Sequence, residues 1–135
     1  MAKPPMIASL AWTRDLEFEA TSGSQTLTID GKSSAGPSPV QTLAFSIAGC
    51  MGMDVVEILR KGRHPISGLD IAFHADRADT PPHRFTNVKM TFVVHGDVPR
   101  EAVQRAIALS HEKYCSVSNS LRGDISISLE FDVRP

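Results

Sequence analysis

Apolar and polar residues alternate with a period of two over three short stretches near the N-terminus. Residues 7–12 do so loosely, residues 16–20 and 26–30 cleanly. The runs Thr13-Arg14-Asp15 and Ser22-Gly23-Ser24 fall between them as turns, so the spacing predicts a three-stranded antiparallel meander. Residues 31–39, rich in Gly, Ser and Pro, read as a loop. The period then changes. Val40, Leu43, Ala44, Ile47, Met51, Val55, Ile58 and Leu59 recur at helical spacing through about Lys61. Ser38 is placed to cap this helix and Pro39 to occupy its first position, where a missing N–H costs nothing. Gly62 and Pro65 end it, with Arg60 and Lys61 suited to the negative end of the helix dipole. The stripe is wide and carries Ala44, Ser46, Ala48, Gly49 and Gly52, which predicts close packing on more than one side.

Two longer alternating runs follow, residues 68–75 and 85–95, the second with a slip after Phe85 that suggests a bulge. The polar connection 76–84 contains Pro81-Pro82 and reads as a hairpin loop. Pro99 opens a second predicted helix reaching about Tyr114, with Ala102, Val103, Ala106, Ile107 and Ser110 inward. A short helical piece over 116–121 and a strand over 125–131 complete the order βββ-α-ββ-α-(α)-β. This is an α+β arrangement of two helices and antiparallel sheets, expected as one domain over residues 1–135. The initial meander has little of its own to cover its apolar face, so a homodimer is expected.

Composition narrows the class. With 135 residues the chain can build a real core, and a net charge of −1 argues against nucleic acid as a partner. No unbroken apolar run approaches the roughly 18–20 residues of a membrane span, and the N-terminus lacks the apolar stretch of a signal peptide. A cytoplasmic, reducing setting is therefore expected, without a membrane partner. Two cysteines are too few for a disulfide framework or an all-cysteine zinc site.

Those two cysteines are the candidate chemistry. Cys50 falls midway along the first helix, on the shoulder of the apolar stripe near the line through Ile47 and Asp54. Asp54 lies one turn on and Glu57 nearly another. A carboxylate inside an apolar stripe needs a partner, and its charge raises a neighbouring thiol pKa. A reactive Cys50 therefore needs a cation from elsewhere. Cys115 falls where the second helix meets the short one, a position where a helix N-terminus favours a thiolate. Free cysteine also serves as a small buried hydrophobe, and nothing in the separation of the two positions argues that they meet. The five histidines are dispersed; only His111, four residues before Cys115, has the spacing of a metal-ligand pair, and no further ligands are evident. Met51 and Met53 read as packing residues. No metal site is expected.

Pro-Ser-Pro before the helix, the run Ala-Phe-Ser-Ile-Ala-Gly-Cys-Met-Gly-Met-Asp ending at Asp54, and Glu-Lys-Tyr-Cys-Ser-Val-Ser around Cys115 together resemble the OsmC/Ohr family of osmotically inducible and organic hydroperoxide resistance proteins. The resemblance spans nearly the whole chain. It implies an intertwined homodimer and a thiol-dependent peroxidase that reduces organic hydroperoxides with an external dithiol and no cofactor. Carried over by position, Cys50 is the peroxidatic thiol, Cys115 the resolving thiol and Arg14 the cation that stabilises the thiolate. Two departures mark a divergent branch. Val40 and Gln41 stand where the family's peroxidases carry a glutamate that holds the arginine, and Ser116 stands where proline often follows the second cysteine. The alternative implied by these departures is a protein of the same fold that binds a small ligand or senses redox state without efficient turnover.

Overall fold

A computed structural model describes residues 3–135. By internal contacts the chain forms two compact units, residues 1–45 and 46–135.

In the first unit, β1 (Ser9–Arg14), β2 (Glu17–Ser22) and β3 (Gln25–Asp30) form the expected meander in the order β1-β2-β3. Trp12 pairs with Phe18 and Phe18 with Ile29, which sets the register. The first turn is pinned by the Trp12 indole N–H, which donates to the Asp15 carbonyl at 2.9 Å. Leu10, Trp12 and Leu27 remain exposed, so the apolar alternation that predicts these strands is not absorbed within a single chain. Asp30, almost wholly buried, ends β3 and organises the loop beyond it. Its carboxylate accepts the backbone N–H groups of Lys32 at 2.9 Å, Ser34 at 3.1 Å and Ala35 at 2.9 Å. The Ala35 and Lys32 bonds hold the Asp30 carboxyl below its ordinary pKa, because each favours the charged form.

That loop delivers the chain into α1 (Pro39–Lys61) through a reciprocal cap. Ser38 Oγ accepts the Gln41 N–H at 3.1 Å, and Gln41 Oε1 accepts the Ser38 N–H at 2.9 Å. Ser33 Oγ donates to the same Gln41 oxygen at 2.9 Å, tying the loop to the cap. The expectation for Ser38 and Pro39 is thus met, and the cap is fuller than a single side chain.

The second unit is a sheet of β4 (Gly68–Arg77), β5 (Phe85–His95) and β6 (Ser126–Arg134) in the order β4-β5-β6, together with most of α1 and with α2 (Arg100–Leu109). The register of β4 on β5 shifts between Asp76 and Arg77, whose partners are Asn87 and Phe85. Thr86 is the extra residue of a bulge, which accounts for the broken alternation after Phe85. One expectation is corrected: β6 runs parallel to β5, so this sheet is mixed rather than antiparallel. The chain leaves β5 and returns through α2, and a long helical crossover permits a parallel pairing that no tight hairpin allows. Gly96, at φ 123°, makes the turn out of β5; a Cβ there would collide with the Pro65 carbonyl oxygen.

Ile47, Met51, Val55 and Leu59, four residues apart along α1, are fully buried. They belong to the same core as Met90, Phe92 and Val94 of β5 and Val103, Ala106 and Ile107 of α2. By length and composition alone α1 is also long and apolar enough to cross a membrane, a test that a helix with a buried core seam passes equally. Gln41, Asp54 and Glu57 interrupt its apolar run but are too few to change its average character.

The cap sets the start of the helix that carries both Cys50 and this core seam. Ser38→Ala should therefore cost about 1 kcal/mol, within the range of roughly 0.5–2 for such caps. Denaturant unfolding should show a lower midpoint at unchanged slope.

Candidate thiol site

Cys50 and Asp54 are four residues apart on α1, so their side chains project from neighbouring positions on one face. Both are half-buried. Opposite them the chain departs from α-helical geometry. After Leu109 the ladder widens into a π turn over Ser110–Tyr114, closed by the Cys115 N–H donating to the Ser110 carbonyl at 2.8 Å. The second helix therefore does not continue regularly to Tyr114 as its periodicity predicts. One wide turn sets Ser110 and Cys115 on the same side. Ser110 is fully buried, and its Oγ donates to Asp54 Oδ2 at 2.8 Å, which satisfies the carboxylate inside the apolar stripe.

Cys115 is 1% exposed. Its sulfur accepts the Ser118 N–H at 3.3 Å, from a one-turn 3-10 helix over Ser118–Ser120 that replaces the longer helical piece expected there. Asn119 braces the turn, its Nδ2 donating to the Cys115 carbonyl at 2.8 Å and the His111 carbonyl at 3.2 Å. Cys50 Sγ, Cys115 Sγ and an Asp54 carboxylate oxygen all lie within 4.8 Å of one another, and both thiols are free.

The electrostatics follow from this packing. Burial pushes the Cys50 thiol above its ordinary pKa, and the adjacent Cys115 sulfur and Asp54 carboxylate push it the same way. The Val117 backbone N–H, hydrogen-bonded to the Cys50 sulfur, opposes them without cancelling the rise.

Of the candidate residues, then, the structure brings Cys50 and Cys115 together and adds Asp54. Arg14 is the exposed last residue of β1, in the 1–45 unit, where it pairs across the hairpin with Glu17. Gln41 is committed to the helix cap: its side-chain oxygen already accepts two hydrogen bonds, using both lone pairs. His111 is not part of the close donor group, and its Nδ1 is buried without a hydrogen-bond partner. On α1 and β4 lies a hollow of about 600 Å³ lined by Gly49, Gly52, Met53, Arg60, Leu69 and Ile71 among others, and none of Cys50, Asp54 and Cys115 lines it. Gly52 packs so closely that a Cβ would stand 2.8 Å from Ile71 Cδ1, whereas the space at Gly49 is open. The helical period places Ser110 inward but carries no sign of its bond to Asp54, nor of the Val117 and Ser118 N–H groups on the two sulfurs. Those contacts depend on the π turn, which has no periodic signal.

Two sulfurs and a carboxylate held between a long helix and a π turn, in an α+β chain, define a buried two-thiol site. The OsmC-like protein family model matches residues 30–130, which include all three groups and leave Arg14 outside. The chain belongs to the OsmC family. It is 35% identical over 131 residues to the protein YhfA of Escherichia coli K12, covering 95% of this chain and 98% of YhfA. Its fold matches the crystal structure of a hypothetical protein from Aquifex aeolicus VF5 with a TM-score of 0.90, at 25% identity and covering 98% of both chains. The organic hydroperoxide resistance protein OhrB of Bacillus subtilis shares the fold at a TM-score of 0.62 and 22% identity, over 93% of this chain and 98% of that one.

Removal of the Asp54 charge should lower the Cys50 pKa and raise the thiolate fraction at neutral pH. Iodoacetamide should accordingly modify Cys50 several-fold faster in Asp54→Asn than in the wild type at pH 7.5. The difference should shrink as pH rises and the wild-type thiol ionises. Equal rates at all pH values would mean that Asp54 does not control the thiol.

Proposed function

We propose that the protein is a thiol-dependent peroxidase for organic hydroperoxides, acting in oxidative stress defence. The observation that carries this reading is the approach of Cys50 and Cys115, whose sulfurs lie within 4.8 Å although 65 positions separate them in the sequence. A thiolate at Cys50 attacks the terminal oxygen of the hydroperoxide; the O–O bond breaks, the alkoxide leaves and takes up a proton as alcohol, and Cys50 becomes a sulfenic acid. The Cys115 thiol then attacks the Cys50 sulfur, water leaves and a disulfide forms. Two electrons and two protons from an external dithiol restore both thiols, and no cofactor is needed. Arg14 is, in this reading, the cation that stabilises the Cys50 thiolate. A cycle that must be reset to two free thiols suits the reducing, cytoplasmic location that this reading assigns to the protein.

The active unit in this proposal is a homodimer of single-domain chains. Supporting it are the exposed apolar side chains of the meander, Leu10 at 56% and Trp12 at 67% exposure, and Met53 on α1 at 74%. A second copy of the chain is the partner that covers them.

A second reading is favoured by the raised pKa of Cys50 and by the commitment of Gln41 to the cap. It keeps the fold and site but makes the protein a redox sensor or small-ligand binder with slow turnover, the hollow beside α1 holding the ligand.

Consumption of cumene hydroperoxide or tert-butyl hydroperoxide with a dithiol reductant separates the two. Turnover should be abolished by Cys50→Ser, whereas Cys115→Ser should accumulate oxidised Cys50 after a single turnover. Wild-type activity no greater than that of Cys50→Ser across a hydroperoxide panel would reject the peroxidase.

A further inference from the structure

We infer that Cys50, Cys115 and Asp54 form a binding site for a soft divalent cation of the zinc or cadmium type, available only while both thiols are reduced. Their donor atoms, two sulfurs and one carboxylate oxygen, lie within 4.8 Å of one another, the only such group among the described residues. In a tetrahedral zinc site with Zn–S of about 2.3 Å, two sulfurs stand about 3.8 Å apart. The site therefore needs a contraction of about 1 Å at most, within the reach of side-chain rotation.

The surroundings suit this chemistry. Ser110 fixes Asp54 through Oδ2 at 2.8 Å and leaves the other carboxylate oxygen its lone pairs. The Ser118 N–H holds Cys115 Sγ at 3.3 Å, and the Val117 N–H bonds the Cys50 sulfur, so each donor is oriented by an outer contact. Ser118 Oγ, in the same turn, is buried without a hydrogen-bond partner. Two thiols and one carboxylate select a soft or borderline metal over magnesium or calcium, which require mostly oxygen. On binding, both thiols lose their protons to solvent, and two thiolates and a carboxylate face the divalent ion. Three protein ligands leave the fourth position to water. Among the described residues no ion pair reaches Asp54, so a cation entering here displaces no existing partner. A Cys50–Cys115 disulfide removes two of the three ligands, which makes metal occupancy and oxidation mutually exclusive.

The proposal does not require peroxidase turnover, and its test reads binding alone. Full-length protein, reduced with a phosphine and freed of metal, is titrated with Cd²⁺ while the ultraviolet thiolate-to-cadmium charge-transfer band is followed, then with Zn²⁺ in competition. One ion per chain is expected. Asp54→Asn, which preserves shape, should weaken Zn²⁺ binding at least about tenfold, and Cys50→Ser and Cys115→Ser should abolish the band. Wild-type protein with both thiols alkylated should not bind, which keeps the test decisive if a cysteine variant fails to fold. Absence of a saturable band, a band surviving alkylation, or a Zn²⁺ affinity unchanged in Asp54→Asn would overturn the site.

Discussion

The hydrogen bond from Ser110 to Asp54 joins the two halves of the thiol site. Asp54 is half-buried on a helix whose neighbouring positions Met51 and Val55 are fully buried, so its carboxylate gains from a partner on the opposing segment. Ser110 is that partner, at the first residue of a π turn, and the same turn presents Cys115 to Cys50. Loss of the wide turn would move either the hydroxyl or the sulfur away from α1. The polar contact and the thiol pair are therefore consequences of one local distortion, which sets Ser110 against Asp54 and Cys115 near Cys50 together.

Much of the fold is legible because hydrophobic period reports burial directly. The strand register, the start of α1 at Pro39 and the bulge beside Phe85 all leave marks in the alternation of side chains. The cap was half legible: Ser38 is recognisable, and the reciprocal bond from Gln41 follows the same spacing. The parallel run of β6 was not, since side-chain alternation is identical for parallel and antiparallel neighbours. Nor was the π turn, because one added residue in a helix changes the ladder without changing residue types. The candidate site shared these limits. Cys50 and Cys115 were identified as thiols in helical settings, yet their proximity depends on a tertiary contact between segments far apart in sequence. That contact comes from the packing of α1 against the π turn, which composition and spacing do not encode.

The position of Gln41 illustrates how a departure from a family's pattern acquires a physical meaning. In the sequence it stands where an acid would hold an arginine. In the structure its oxygen is spent on the Ser38 N–H and the Ser33 hydroxyl, so the residue stabilises the helix entry. An amide accepts both bonds as well as a carboxylate would, but brings no charge with which to orient a guanidinium. Gln41 thus secures the entry of α1 and leaves its side-chain oxygen no lone pair for a further donor.

Asp54 places negative charge next to the Cys50 sulfur itself. Burial, with Cys115 and Asp54 acting the same way, opposes ionisation of Cys50, and the backbone N–H of Val117 does not offset their sum. Any chemistry through a Cys50 thiolate therefore depends on positive charge brought to this cluster. An arginine and a divalent metal ion are two solutions to the same problem, with opposite consequences. A guanidinium stabilises the thiolate and leaves its lone pairs free to attack a peroxide. A metal ion stabilises it more strongly but occupies those lone pairs and engages the resolving thiol as well. The geometry that supports the proposed redox pair of Cys50 and Cys115 thus also supports the proposed metal ligand set with Asp54, and under these two proposals the identity of the nearby cation decides between reactivity and protection.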